Sequence, residues 1–241
     1  MIIIPARLKS SRFENKILAD ILGLPMVIRT AKQVSSLDDV VIATDSQEVI
    51  QLASSYNISA VLTSTNHQSG TDRINEAVNN LNLHNDEIII NVQADEPFIE
   101  TSVVQAVIDD IKRLKKQNRE FIMSSCFKKI SSNLADDPNH VKVICDDFND
   151  AIYFSRAKIP YNRDHYNEDT TYNGHLGIYG FTKKSLNDFC KFTPTPIEDI
   201  EKLEQLRAIA NGKKISMVEV NSKSFGIDTK EDLANALRVF G

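Results

Sequence analysis

Cysteine is scarce in this chain. Cys126, Cys145 and Cys190 are odd in number, far apart and without metal-ligand spacing, which speaks against a disulfide framework and leaves them as reduced, packed thiols. No apolar run is long enough to cross a bilayer, so no membrane partner is expected. The opening strand runs straight into basic loop residues and lacks a signal peptide's apolar core and cleavage site, which predicts a cytoplasmic location. Positive charge is not in surplus: the formal net charge is -5, so no nucleic-acid partner is expected. There is no P-loop motif, no Gly-x-Gly-x-x-Gly fingerprint and no His-x-x-x-His or paired-cysteine zinc motif.

The 241 residues, 41% hydrophobic and 25% charged, suffice for one soluble α/β domain spanning the chain. Ile2-Ile3-Ile4 reads as a buried strand whose pairing Pro5 ends. A helix begins near Pro25 and runs to Val34, a strand covers 40–43, a helix passes through Val49, Ile50 and Ala53, and a short strand covers 58–62. A helix over 71–80 and a buried strand over 88–90 follow. Val103, Val104, Val107, Ile108, Ile111 and Leu114 form one helical stripe, with Asp109, Asp110, Lys112 and Lys115 facing elsewhere. Apolar strands alternating with amphipathic helices predict a mostly parallel central sheet covered by helices, with a ligand crevice at the strands' C-terminal ends.

The pattern changes in the second half. Strand-like segments near 121–127, 141–145, 151–154 and 176–182 are joined by longer polar loops, so 121–182 reads as an elaborated part of the domain. Segment 155–175 has no helical periodicity and is either a substrate lid or a dimer arm. A helix over 198–211 turns Leu203, Leu206 and Ile209 inward, a strand covers 215–220, and a closing helix follows Asp228-Thr229 with Leu233, Ala236, Leu237 and Val239 as its apolar contacts. No repeat or linker divides the chain.

Polar clusters fall just after strand ends. Arg7, Lys9, Arg12 and Lys16 crowd the first, an excess explained either by an anionic ligand or by a solvated basic turn. Asn91 to Pro97 follows the strand at 88–90 and brings Asp95 to the crevice mouth. Asp228 follows a short strand-like stretch and is either a second carboxylate or a helix cap. Two carboxylates sharing a hard cation beside a basic loop suit magnesium and nucleotide phosphates. In His67 to Arg73, Gly70 allows close backbone approach and the helix-start amides can meet a base or phosphate, unless Ser69 is an ordinary cap. Arg156, His175, Tyr179, Glu204 and Gln205 form a second set. Arg156 has the planar fork that clamps a carboxylate and the others can bind sugar hydroxyls, or each is structural. His175 is either a base at neutral pH or a hydrogen-bonding partner.

The segments IIIPAR (2–7), SRFENK (11–16), VIATDS (41–46), HQSGTDR (67–73), NVQADEP (91–97), YFSRAKIP (153–160), HLGIYGF (175–181), EKLEQLR (201–207) and GIDTKEDL (226–233) occur in order along almost the whole chain. Together they closely resemble the bacterial 3-deoxy-manno-octulosonate cytidylyltransferases, the CMP-Kdo synthetases. The resemblance implies a Rossmann-like nucleotidyltransferase fold with an inserted part for sugar binding and homodimer formation. It implies the reaction of CTP with Kdo to give CMP-Kdo and diphosphate for the lipopolysaccharide inner core, with Mg2+ as cofactor. Residue by residue, it makes Arg7 and Lys16 the contacts to the CTP phosphates, and Ser69, Gly70 and Arg73 part of the cytidine pocket. It makes Asp95 and Asp228 the magnesium ligands, and Gln93, Arg156, His175, Tyr179, Glu204 and Gln205 the Kdo-facing set. Catalysis then rests on Arg7, Lys16, Asp95 and Asp228, with no covalent intermediate.

Two positions depart from the family pattern. Glu14-Asn15 stands where Pro-Gly is usual, and Ala94 where Gly is usual. Among the alternatives to Kdo itself are the related acidic sugars 8-amino-Kdo and sialic acid. A noncatalytic nucleotide-binding protein is the alternative from a different class.

Overall fold

The computed structural model describes residues 1–8, 13–163 and 170–241. Lys9 and Arg12 of the basic opening, and 164–169 of the predicted lid or arm, lie outside the described residues. The chain forms two compact units: 1–105 with 222–241, and 106–221.

In the first unit, β1 (Ile2–Ala6), β4 (Val40–Thr44), β5 (Ser59–Leu62) and β6 (Ile88–Asn91) are all parallel, in the order β6-β1-β4-β5. Ile2, Ile3, Ile4 and Ala6 are completely buried, which explains the unbroken apolar run: an interior parallel strand has no solvent face. Pro5 does not end the strand, because it pairs with Ala43 and pairing continues to Ala6↔Thr44. Alternate residues of a parallel strand turn their peptide groups to the same neighbour. The Ile3 carbonyl accepts from Val92 of the β6 side, so Pro5 faces that side too, where β1–β6 pairing stops at Ile3↔Asn91. Its missing N–H therefore costs no ladder bond.

The helices of this unit begin close to where the pattern puts them. They are α1 (Met26–Val34), α2 (Gln47–Ser55) and α3 (Gly70–Asn80). Ser46 caps α2 and Ser69 caps α3 through their hydroxyls, satisfying amides that lack helical partners. The pattern does not reveal the short hairpin β2 (Asp20–Ile21) and β3 (Leu24–Pro25); two-residue strands carry no readable period.

The last helix of the chain, α9 (Lys230–Phe240), opens on a capping box between Thr229 and Asp232. Asp228 follows irregular chain rather than a strand. Of the four apolar contacts expected on this helix, Ala236 is buried and Leu233 packs beside it, but Val239 is 55% exposed. Phe240 takes its place, stacking on Phe98 at 4.7 Å between ring centroids. Ile21, Met26, Phe98, Ile227 and Ala236 form one buried cluster, joining the hairpin, α1 and the returning C-terminal segment.

α4 (Thr101–Lys116) begins in the first unit and continues into the second. Its predicted apolar stripe is buried throughout. Asp110, expected to face elsewhere, is buried as well, because its carboxylate accepts from the Ser124 hydroxyl at 2.7 Å and pairs with Arg113.

The second unit is mixed rather than parallel. β7 (Met123–Ile130) pairs parallel with β11 (Ile215–Glu219) and antiparallel with β10 (Tyr172–Thr182). β8 (Lys142–Cys145) pairs antiparallel with β10 and with β9 (Ala151–Ser155). Two short helices, α5 (Ser132–Asp136) and α6 (Lys183–Phe189), were not foreseen. The helix expected over 198–211 is two: α7 (Pro196–Glu201) and α8 (Leu206–Ala210), parted where Lys202 adopts φ 52. No glycine marks that stop. The turn lets Arg207 of α8 reach back to Glu198 of α7 at 2.5 Å while Leu203 and Leu206 stay buried. Among the described residues no helix is long and apolar enough to cross a membrane.

Ile227 is fully buried in the cluster that anchors the C-terminal segment. Ile227→Ala should lower the unfolding free energy by about 2–4 kcal/mol, the usual cost of a truncated buried aliphatic. Urea denaturation followed by circular dichroism measures this; an unchanged midpoint would contradict the anchoring role.

Candidate active site

The C-terminal ends of the first unit's strands converge on a cavity of about 290 Å³. Arg7 leaves β1, Gln93 and Asp95 follow β6, His67 and Ser69 follow β5, and Asp228 precedes α9. Arg7, Lys16, Ser69, Gly70, Arg73, Gln93, Asp95 and Asp228 all line it. The crevice is where an open parallel sheet is expected to bind ligands, because strand ends and helix starts leave peptide groups unpaired there.

At its centre Lys16 Nζ donates to Asp95 Oδ2 at 2.6 Å and to Asp228 Oδ1 at 2.8 Å. The two acids therefore face the same point, and a single ammonium spans them. Burial pulls the Lys16 pKa down, but the attraction of Asp95 and its hydrogen bonds with both carboxylates outweigh this and leave it raised. Several local bonds bring these residues together. Thr30 of α1 donates to the Ala94 carbonyl at 2.9 Å and the Ile227 amide donates to the Asp95 carbonyl at 2.9 Å. The Asp232 carboxylate accepts the Asp228 amide at 3.0 Å. Farther back, the Glu100 carboxylate accepts the Ser222 hydroxyl and the Lys223 amide, each at 2.7 Å, fastening the segment that leads to Asp228.

The donor set fits magnesium. Two carboxylates within reach of one cationic centre offer hard oxygen ligands, and this ion commonly takes only one or two from the protein, completing its shell with water and phosphate. Among the described residues no cluster of three or more acidic, histidine or cysteine side chains offers a cage made by protein alone.

The two departures from the family pattern have local explanations. Asn15 sits at φ 50, ψ 33 just before the 3-10 turn Lys16–Leu18. This is the left-handed region that glycine enters freely and asparagine tolerates best among the rest. Glu14 is exposed. Ala94 is not among the residues with positive φ, so its methyl group imposes no backbone strain.

Ser69 serves as the cap of α3, accepting the Asp72 amide at 3.1 Å, and also lines the cavity. Gly70 lies tight against β1: a Cβ there would stand 3.2 Å from Pro5 Cγ. Arg73 is almost fully buried, donating to Thr63 Oγ1 at 2.7 Å and to Asp45 Oδ2 at 2.9 Å. Sequence reasoning gave no role to Asp45 and Thr63; their positions directly after β4 and β5 were the available signal. It also gave none to His67, whose Nε2 is bonded to Glu76 Oε2.

In the second unit His175 and Tyr179 lie on β10, Arg156 follows β9, and Glu204 and Gln205 precede α8. His175 Nε2 shares a hydrogen bond with Ser125 Oγ at 2.9 Å, and its ring meets Phe154 edge-on and lies 5.5 Å from Tyr179. The residue as a whole is half-buried, and desolvation of its ring lowers the His175 pKa to about 3. It is neutral at physiological pH and a weak base. Tyr179 is held protonated, first by desolvation and then by the nearby Glu204 carboxylate. Gln205 is buried at the start of α8. Arg156 donates to the carbonyls of Glu201 at 2.7 Å, Pro138 at 3.0 Å and Lys202 at 3.4 Å, which braces the end of β9 against the α7–α8 elbow. A guanidinium has five N–H donors, so these bonds leave donors for a carboxylate.

A parallel sheet with a cation and paired carboxylates at its strand ends has the architecture of a nucleotidyltransferase. A family model described as Cytidylyltransferase matches residues 1–215. A Nitratiruptor protein named 3-deoxy-manno-octulosonate cytidylyltransferase is 55% identical over 234 residues, 97% of this chain and 96% of the relative. The Wolinella succinogenes protein of the same name is 49% identical over 243 residues, covering 100% and 99%. A solved structure of CMP:2-keto-3-deoxy-manno-octonic acid synthetase complexed with CTP superposes with a TM-score of 0.88 at 34% identity, covering 99% of this chain and 96% of that one. The chain belongs to the cytidylyltransferase family.

The lowered His175 pKa has a stability consequence. An unfolded chain binds the imidazole proton near pH 6.5 and the folded chain only near pH 3, so between these values the unfolded state holds more protons. Its contribution is therefore full above pH 6.5 and declines as pH falls toward 3. Urea titrations at pH 7 and pH 5 should show a smaller loss for His175→Gln than for the parent; equal losses would contradict the enclosed neutral ring.

Proposed function

We propose that this protein transfers CMP from CTP to 3-deoxy-D-manno-oct-2-ulosonate (Kdo), giving CMP-Kdo and diphosphate for assembly of the lipopolysaccharide inner core. The observation that carries the reading is the meeting of Lys16, Asp95 and Asp228 beside Arg7 in one crevice of a cytidylyltransferase-family chain. The names of the relatives support the choice of Kdo.

In this mechanism the anomeric 2-hydroxyl of Kdo attacks the α-phosphorus of CTP in line. An O–P bond forms as the hydroxyl gives up its proton to solvent, the bond to the β-phosphate oxygen breaks, and diphosphate leaves with that electron pair. Arg7 and Lys16 hold the phosphates and stabilise the charge that collects on the departing group. The raised pKa of Lys16 keeps it charged at working pH. Asp95 and Asp228 would hold magnesium, which would supply Lewis acidity toward the phosphate oxygens. Ser69, Gly70 and Arg73 form the cytidine side of the pocket. Gln93, Arg156, His175, Tyr179, Glu204 and Gln205 recognise Kdo, with Arg156 on its carboxylate and neutral His175 as a hydrogen-bonding partner. Positioning carries much of the rate, since both substrates are freely diffusing anions. We further propose a homodimer working in the cytoplasm, the dimer resting on the family resemblance of the sequence.

Diphosphate release from CTP should depend on Kdo and exceed that with 8-amino-Kdo or sialic acid in a competition assay; preference for another acid would reassign the substrate. Asp95→Asn should lower kcat about 10³-fold with the fold intact, on the order of 4 kcal/mol of lost transition-state stabilisation. Near-normal turnover in that variant would remove Asp95 from the chemistry. Arg156→Ala should raise the KM for Kdo roughly tenfold or more while leaving that for CTP within about twofold, by loss of a charge-assisted contact. A change confined to CTP would undo the assignment.

A further inference from the structure

The cavity of the first unit has two chemically different ends. Asp95 follows β6, on one side of β1. His67 and Gln68 follow β5, two strands beyond β1 on the other side. At a spacing of about 4.8 Å between strands, the C-terminal ends of β6 and β5 lie roughly 14 Å apart, room for a nucleotide rather than an inorganic ion. With the triphosphate held by Arg7, Lys16 and the acidic pair, the nucleobase falls toward the β5 end. There Arg73 is committed to Asp45 and Thr63, directly after β4 and β5, while α3 itself begins against Pro5 of β1.

His67 lines this end and is held by its own scaffold. Its Nε2 is bonded to Glu76 Oε2 from α3, and the same carboxylate oxygen accepts the Ser64 amide at 2.9 Å. The Ser64 hydroxyl in turn accepts the Asn66 amide at 3.1 Å, and Gln68 Nε2 donates to the Asn66 carbonyl at 3.1 Å. Residues 64–68 are thus braced on both sides of the imidazole. The Glu76 pKa is lowered: desolvation raises it, but the Ser64 amide and His67 prevail. An ionised carboxylate only accepts, so in the neutral imidazole the proton belongs on Nε2 and Nδ1 is left as an acceptor.

Building on the CTP reading above, we propose that His67, oriented by Glu76, selects the nucleobase: its Nδ1 accepts from the exocyclic 4-amino group of cytosine. Uracil presents a carbonyl at that position, and two acceptors face each other without a proton between them. A site that makes a hydrogen bond to its ligand rejects the analogue lacking the partner far more strongly than an apolar pocket rejects a change of size. His67 is a specificity residue in this account, and Glu76 a positioning residue acting through the imidazole tautomer.

The test is calorimetric binding, with magnesium present and no sugar, of CTP, UTP and the cytidine analogue whose base is pyrimidin-2-one, which lacks the amine. The wild-type protein should bind CTP roughly 10–100-fold more tightly than either competitor. In His67→Ala that preference should shrink to about threefold or less, mainly through weaker CTP binding. His67→Gln, which keeps a side-chain acceptor, should retain part of it, and Glu76→Gln should lose part of it. A CTP/UTP ratio unchanged in His67→Ala would overturn the proposal. So would wild-type protein that binds the pyrimidin-2-one nucleotide as well as CTP, a measurement that needs no variant to fold. Strong CTP preference without diphosphate release for any ulosonic acid would instead defeat the transferase reading and leave the base-selecting role standing. Absence of CTP binding would defeat both.

Discussion

Two carboxylates from residues 95 and 228 approach one point, and the ammonium of Lys16 makes that approach tolerable. Like charges brought together in a partly buried crevice repel strongly, and a paired cation converts the repulsion into a net attraction. The raised Lys16 pKa expresses that attraction. The three residues are remote in sequence, so their meeting depends on an architecture that returns the last twenty residues of the chain to the first unit. The buried cluster around Ile227 holds the returning segment, while Glu100 and the Asp95 carbonyl fasten its backbone. Apolar packing thereby sets the electrostatics of the site.

The same economy of parts recurs at the other end of the crevice. Ser69 caps α3 and faces the cavity, and Arg73 of that helix is anchored by groups at the ends of two neighbouring strands. A capped helix start and a guanidinium with its partners already made present a surface that needs little rearrangement when a ligand arrives, which reduces the cost of ordering on binding. The second unit uses a different means. Among its predicted sugar-facing side chains, His175 packs against aromatic rings that keep it neutral and Arg156 is tied to backbone carbonyls.

Much of this was legible in the chain. Continuous β-branched runs marked the interior parallel strands, because an element buried on both faces has no room for polar alternation. The stripe from Val103 to Leu114 marked a helix with one buried side. Acidic and basic residues just after strand ends marked the crevice. Local pattern failed where tertiary contacts overrode it. Pro5 remains in β1 because its neighbour's pairing has already stopped, and Asp110 is buried because Ser124 and Arg113 receive it. The helix near 200 breaks at Lys202 without glycine or proline, and Phe240 replaces Val239 as the packed residue of α9. Each depends on a partner distant in sequence, which periodicity does not encode.

The sequence by itself determined the class of fold, the order of the parallel strands and longer helices of the first unit, and the chemical character of its clusters, since these follow from residue type and spacing along the chain. Only the tertiary structure decided that Lys16 stands between the two acids, that Arg73 is anchored and Arg156 braced, and that Glu76 holds His67. A hydrogen bond or ion pair exists only when two atoms come within about 3 Å, and the folding of distant segments onto one another is what supplies that distance.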